Sequence, residues 1–354
     1  MIVKNESAVI ERCLGSVKDV IDYWVIVDTG SIDGTQEIIK KYLKNIPGEL
    51  YQRKWRNFGD NRSEAFNLAK GKGDYILFMD ADDTLSFKGK KEFPFLTQDV
   101  YTMWRGSESF TYLTPQLAKG NLPWRWVGVV HEYLDCSLPT NRGHLDNVKY
   151  VSGDGGARSK GLDKFYEYIK LLKEGLQKDP DNERYVFYLA ESYRAVGEKA
   201  LAIAAYQKRI DMKGWEEEMF ISMFEIANLL KDLNFSMSIV EQAYMEAHKF
   251  RPHRAEPVYC LATIYNDMGE YFKSYKISRD WLSEYKNHPK DILFNQPWMG
   301  DYGLSFTLSI SSYYLGQYQE SMDHCMYLLE DPNTPSFIKE ITKNNIEYVK
   351  TKLN

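Results

Sequence analysis

The sequence has few of the features that announce several common activities. Its four cysteines, Cys13, Cys136, Cys260 and Cys325, lie far apart with no C-x-x-C pair. That spacing argues against a disulfide framework or a cysteine zinc site and fits reduced thiols in a cytoplasmic compartment. There is no excess of positive charge: the formal net charge is −5, so a nucleic-acid surface is not expected. No stretch reaches the roughly 18 apolar residues of a membrane span, and no signal peptide is expected, since Met1 leads straight into strand residues. The dinucleotide fingerprint G-x-G-x-x-G and the phosphate loop G-x-x-x-x-G-K-[ST] are both missing. Their absence counts against nicotinamide, flavin and P-loop enzymes.

What is present is ordinary globular material, 354 residues with 44% hydrophobic and 27% charged, enough for two domains. Through the first half, short apolar runs alternate with helix-spaced segments. Met1–Val3, Tyr23–Val27, Glu49–Gln52 and Tyr75–Met79 read as strands; residues 9–20, 36–43 and 61–69 read as helices. That alternation predicts an α/β domain with a mostly parallel sheet and helices on both faces.

The strands end in acids. Asp28 follows Val25-Ile26-Val27 and opens the turn Thr29-Gly30-Ser31-Ile32-Asp33-Gly34-Thr35. The glycines permit a tight turn, Ser31 or Asp33 can cap the next helix, and Asp28 can accept hydrogen bonds from a base or ribose. Tyr75–Met79 runs into Asp80-Ala81-Asp82-Asp83. In open α/β sheets, ligands bind beyond the carboxyl ends of the strands. Alternate residues of an extended chain share a face, so Asp80 and Asp82 can reach one hard divalent cation, Mg²⁺ or Mn²⁺.

Three segments in this order, Met1-Ile2-Val3-Lys4-Asn5-Glu6, Val27–Thr35 and Phe78–Asp83, resemble family 2 glycosyltransferases with the A-type nucleotide-sugar fold. The resemblance covers residues 1–150. It implies transfer of a sugar from a nucleotide diphosphate donor, most often UDP-linked, with a divalent metal on the diphosphate. Carried over, Asn5 and Glu6 lie near the nucleoside, Asp28 contacts base or ribose, Asp80 and Asp82 form the D-x-D metal and ribose site, and Arg62 contacts the diphosphate. Trp126-Val127-Gly128-Val129-Val130-His131-Glu132 resembles a W-x-G-x-x-H-E pattern of some members, which implies His131 as a further metal ligand or diphosphate contact. An inverting transfer needs a carboxylate base, and Glu132, Asp83 and Asp135 are its candidates. Trp124 and Trp126, two apart, are read as one packed face of a strand.

Residues 151–162 are glycine-rich and read as a hinge, with Arg158 or Lys160 able to reach donor phosphates. From Asp163 to the end, helical spacing repeats. Gly197 and Gly269 are 72 residues apart, two units of about 36, with an intermediate copy at Asn234 and a last one at Gly316. Residues 163–354 thus resemble tetratricopeptide repeats. Such a solenoid suits recruitment of a protein, peptide or glycan acceptor, or homodimerisation. Glu216-Glu217-Glu218 reads as a solvated helix start. Two other readings are a catalytically silent nucleotide-binding scaffold and a nucleotidyltransferase. The latter needs a basic glycine loop after the first strand, where Lys4-Asn5-Glu6-Ser7-Ala8 stands instead.

Overall fold

The computed structural model describes residues 1–106, 111–153, 155–156, 161–285 and 291–353. They form two compact units, Met1–Gly197 and Glu198–Asn354.

The first unit opens with β1 (Ile2–Val3), α1 (Ile10–Val17), β2 (Trp24–Asp28), α2 (Thr35–Tyr42), β3 (Gly48–Gln52) and α3 (Phe58–Ala69). The three strands make a parallel sheet in the order β1-β2-β3. A second sheet has the order β4-β7-β6-β10-β5, built from β4 (Tyr75–Leu77), β5 (Thr84–Phe87), β6 (Val100–Gly106), β7 (Thr111–Lys119) and β10 (Arg142–Val151). A two-stranded ribbon, β8 (Trp124–Val127) and β9 (Tyr133–Cys136), packs beside α3.

Helix α1 joins the sheets because its apolar positions recur at helical spacing. Cys13 and Val17 pack with Met79, Met103 and Tyr150 of the second sheet. Ile10 and Leu14 pack with Val3, Ile26 and Ile39. An apolar cavity of about 340 Å³ separates the sheets, lined by Met1, Ile26, Phe66, Ile76 and Phe78 among others.

The α/β class is observed, but parallel pairing is confined to β1–β3 and to β6 with β10; β4 runs antiparallel to β7. The reason is general. An apolar run shows that a strand is covered on both faces, as Met79 and Phe78 are in separate cores, and carries no information about its neighbour's direction.

Two helices, α4 (Asp163–Lys178) and α5 (Glu183–Ala195), also belong to the first unit. Gly175 lies against Tyr185 and Val129, and Arg184 donates to the His131 carbonyl at 2.8 and 3.1 Å. The glycine-rich stretch therefore marks a change from strand to helix, while the compact units divide after Gly197.

The second unit is all helical: α6 (Lys199–Asp211), α7 (Glu216–Asp232), α8 (Met237–Phe250), α9 (Glu256–Asp267), α10 (Tyr271–Glu284), α11 (Leu304–Tyr314), α12 (Tyr318–Glu330) and α13 (Ser336–Leu353). Asn234, Gly269 and Gly316, the repeat markers, have φ of 58°, 75° and 79°. Each ends a helix in the left-handed conformation that glycine and asparagine tolerate best. Ala227, Ala247, Ala262, Ser274 and Ser278 are fully buried and let neighbouring helices approach closely. Glu216–Glu218 is not a solvated run: Glu218 is buried against Arg209, and Glu217 accepts from the Ile292 and Leu293 amides. Among the described residues no helix is long and apolar enough to cross a membrane.

Candidate active site at the strand-end carboxylates

Asp28 closes β2 and is buried. Its Oδ1 accepts from the Gly30 and Ser31 amides at 2.8 and 2.9 Å. Its Oδ2 is buried with no hydrogen-bond partner among the described residues. Such an atom costs about 1–3 kcal/mol unless a ligand satisfies it. The Lys4–Ser7 loop is latched across this turn: the Asn5 amide donates to Ser31 Oγ (2.9 Å), the Glu6 amide to Thr35 Oγ1 (2.8 Å) and the Ser7 amide to Asp33 Oδ2 (3.0 Å). Asn5 itself is left-handed, φ 58°, and its Oδ1 accepts from the Ile32 amide. Burial works against the Asp33 charge, but the Thr35 and Ser7 donors outweigh it and bring its pKa down to about 2. Asp33 thus braces the start of α2, while Ser31 serves Asn5. The structure gathers Asn5, Glu6 and Asp28 around one turn.

The second group lies beyond β4. Asp80 is gripped from both sides, Oδ1 by Arg62 and Oδ2 by Arg105 Nη2 at 2.9 Å. Its amide donates to Tyr150 Oη at 2.8 Å. Burial penalises its charge, yet the two guanidiniums hold the carboxyl far below the usual range. Arg62 continues to Glu132 through Nε (2.5 Å) and lies over the Trp126 ring, 5.3 Å from its centroid. Arg105 Nη2 also reaches Asp83 Oδ2 at 2.8 Å, and its guanidinium lies 4.8 Å from the Tyr150 centroid. Asp83 is 3% exposed and takes the Gly153 amide on its other oxygen. Burial pushes its pKa up to about 6, against the pull of Arg105.

Asp82 is different. Among the described residues its carboxylate receives a hydrogen bond from its own amide alone, and burial raises its pKa. Its backbone oxygen accepts from Arg12 Nη2 at 2.7 Å. The glycine stretch lies directly on it: a Cβ on Gly156 would stand 2.5 Å from Asp82 Oδ2, and one on Gly153 1.9 Å from the Asp82 carbonyl. Arg158 and Lys160 lie outside the described residues.

Asp80, Asp83, Arg62 and Glu132 thus form one ion-paired chain with Asp82 beside it. His131 does not join as a further ligand. Its backbone is left-handed, φ 49°, and its ring stacks on Tyr188 (centroids 3.9 Å, 10° between planes) with Tyr168 edge-on at 5.5 Å. Among the described residues no three His, Cys, Asp or Glu side chains converge on one metal position. The reason is conformational: consecutive residues His131 and Glu132 point opposite ways, and the Arg62 pair takes Glu132. Trp124 is buried in the core, as its spacing implied, whereas Trp126 serves as the platform for Arg62. Asp135 pairs with Arg125 on the exposed ribbon.

Sequence reasoning passed over Arg105, Tyr150, Gly153 and Gly156. A signal existed for Arg105: it continues the alternation of Tyr101 and Met103, both buried, so a cation stood on the inward face of β6.

Residues 1–92 match the family model described as Glycosyl transferase family 2. The glycosyltransferase SunS of Bacillus phage SPbeta, like its prophage counterpart in Bacillus subtilis, is 27% identical over 268 residues, covering 69% of this chain and 62% of that protein. An uncharacterized glycosyltransferase of Rickettsia bellii is 32% identical over 105 residues, 28% of this chain and 34% of its own. A TPR repeat-containing protein of Synechococcus elongatus is 31% identical over 152 residues, 39% and 35%. The chain spans less than two thirds of the length of these relatives. Its N-terminal part is thus similar to family 2 glycosyltransferases over residues 1–92, and tetratricopeptide-like helical hairpins follow it.

Proposed function

We propose that the protein transfers a sugar from a nucleotide diphosphate donor, a UDP-sugar, to an acceptor, with a divalent cation, Mn²⁺ or Mg²⁺, at Asp82. The observation that carries this reading is the division of labour among the strand-end acids. Among the described residues, Asp80 and Asp83 are paired with arginines, Asp82 has no arginine on its carboxylate, and Asp28 keeps a buried oxygen without a partner. A hard carboxylate ligand beside a neutralised pair fits one such cation, which when bound polarises the donor diphosphate as a Lewis acid.

The chain's own residues do the rest. Asp28, Asn5 and Glu6 hold the nucleoside end at the first sheet. Arg62, kept charged by Asp80 and Glu132, faces the diphosphate. Glu132 takes the acceptor proton in an inverting displacement: its Oε1 is held by Arg62, while Asp83 is shut in by Arg105 and Gly153. The helical hairpins recruit a protein, peptide or glycan acceptor or pair two copies, as stacked hairpins present extended binding surfaces.

A thermal-shift panel of nucleotides and UDP-sugars, each with and without Mn²⁺, tests this, because a ligand of the folded state alone raises the melting temperature with its affinity. Stabilisation by a UDP-sugar that depends on Mn²⁺ is the expected result. No shift with any nucleotide overturns the reading, and a shift without any transfer favours the silent nucleotide-binding scaffold. Gly156→Ala is expected to displace the Asp82 carboxylate and lower transfer about 10²-fold, the usual cost of a 1 Å misplacement. Steady-state kinetics that match wild type would show that the strap does not confine Asp82.

A further inference from the structure

Arg105 enters the scheme above only as the group that shuts in Asp83, yet it bridges two acids of the cluster. One nitrogen, Nη2, donates to Asp80 at 2.9 Å and to Asp83 at 2.8 Å. The guanidinium lies over Tyr150, whose hydroxyl accepts from the Asp80 amide. It comes from the middle of the second sheet, on the inward face of β6. This anchoring is unlike that of a surface arginine: three elements, β6, β10 and the turn after β4, fix its position.

Around Asp82 the cluster holds four carboxylates, Asp80, Asp82, Asp83 and Glu132, and two guanidiniums, Arg62 and Arg105. Arg12, from α1, reaches the Asp82 backbone oxygen. With Arg12 counted, the described groups, four acids against three guanidiniums, carry a formal excess of one negative charge, which favours a cation beside them. Without Arg105, Asp83 would turn uncompensated charge toward this volume and Asp80 would keep only Arg62. A metal could then settle among three acids in several ways, with no preference for the position that meets a diphosphate.

We propose that Arg105 is a positioning residue that sets this charge balance: it ties Asp80 and Asp83 together so that, among the described residues, Asp82 is the acid of the D-x-D turn left without a guanidinium on its carboxylate and available to a divalent cation. The proposal rests on the glycosyltransferase reading and adds a residue to it. It predicts an unusual pair of effects. Removing the positive charge should tighten binding of the bare metal while impairing transfer, because the metal gains negative charge and loses its position.

The test is a titration of the full chain with Mn²⁺ alone, followed by electron paramagnetic resonance of the free ion, then repeated with UDP. Arg105→Gln keeps donors and removes the charge. It is expected to bind Mn²⁺ without nucleotide about tenfold more tightly than wild type and to lose transfer. Arg105→Lys is expected to return Mn²⁺ affinity to the wild-type value. Asp83→Asn, which removes one negative charge and leaves Arg105 in place, is expected to weaken Mn²⁺ binding and serves should the glutamine variant not fold. Unchanged or weaker Mn²⁺ binding in Arg105→Gln with an unchanged melting temperature overturns the proposal, as does unchanged binding in a folded Asp83→Asn. If wild type binds no Mn²⁺ even with UDP, the metal reading itself fails, and Arg105 falls with it.

Discussion

Asp82→Asn is expected to lower glycosyl transfer by about 10²–10³-fold or more while leaving the fold intact. The substitution keeps the side chain's size and removes its charge. No described arginine hydrogen-bonds that carboxylate, since Arg62 and Arg105 pair with Asp80, Asp83 and Glu132 and Arg12 reaches the backbone oxygen. Burial already disfavours the ionised form of Asp82, so the neutral amide should cost the folded state little. Its melting temperature should match wild type. Asp80→Asn makes the contrast. There a buried charge that holds two guanidiniums is lost, and breaking such a pair costs about 3–5 kcal/mol. Kinetics and calorimetry of the two variants separate a functional carboxylate from one that also supports the fold. Near-normal turnover in Asp82→Asn would remove Asp82 from the mechanism.

A stability effect as large is expected in the second unit, at Glu218. Arg209 is fully buried, and its Nε donates to Glu218 Oε2 at 2.8 Å. Its other nitrogens donate to the Lys213 and Trp215 carbonyls. They cross the turn between α6 and α7, where Lys213 and Gly214 are both left-handed. Glu218→Ala leaves that guanidinium buried without its carboxylate, and about 3–5 kcal/mol of unfolding free energy should disappear. Urea denaturation measures it. The double variant Arg209→Met, Glu218→Leu should regain most of the loss, because a packed apolar pair needs no desolvation of charge. A single variant within 1 kcal/mol of wild type (about a fivefold change in the folding constant) would show that water reaches the arginine.

The Glu216–Glu218 run shows where sequence reading stops. Three adjacent glutamates resemble a solvated helix start, and Glu216 does keep a 70% exposed side chain while it meets Arg251. One residue further round the helix, Glu217 accepts backbone amides from residue 292 onward, and Glu218 turns inward. Helical phase relative to a neighbour decided this, and the neighbour lies elsewhere in the chain. The position of His131 was decided in the same way. A motif places it next to Glu132, but the left-handed backbone at His131 sends the two side chains apart.

By itself the sequence determined the elements and the positions of the chemistry. Period-two and period-3.6 apolar patterns are local, so the strands ending in Asp28 and Asp80 and the helical hairpins with left-handed turns at Asn234, Gly269 and Gly316 were legible. Only the tertiary structure decided which acid is free. Asp80 meets Arg62 from 18 residues away and Arg105 from 25, and Tyr150 comes from 70 away. These partners arrive through antiparallel pairing of β6 and β7 and the return of β10, none of which an apolar pattern encodes. Charge neutralisation is a pairwise, short-range effect between distant parts of the chain. For that reason a D-x-D sequence marks a strand end with two acids, and folding leaves Asp82, unlike Asp80, without an arginine on its carboxylate among the described residues.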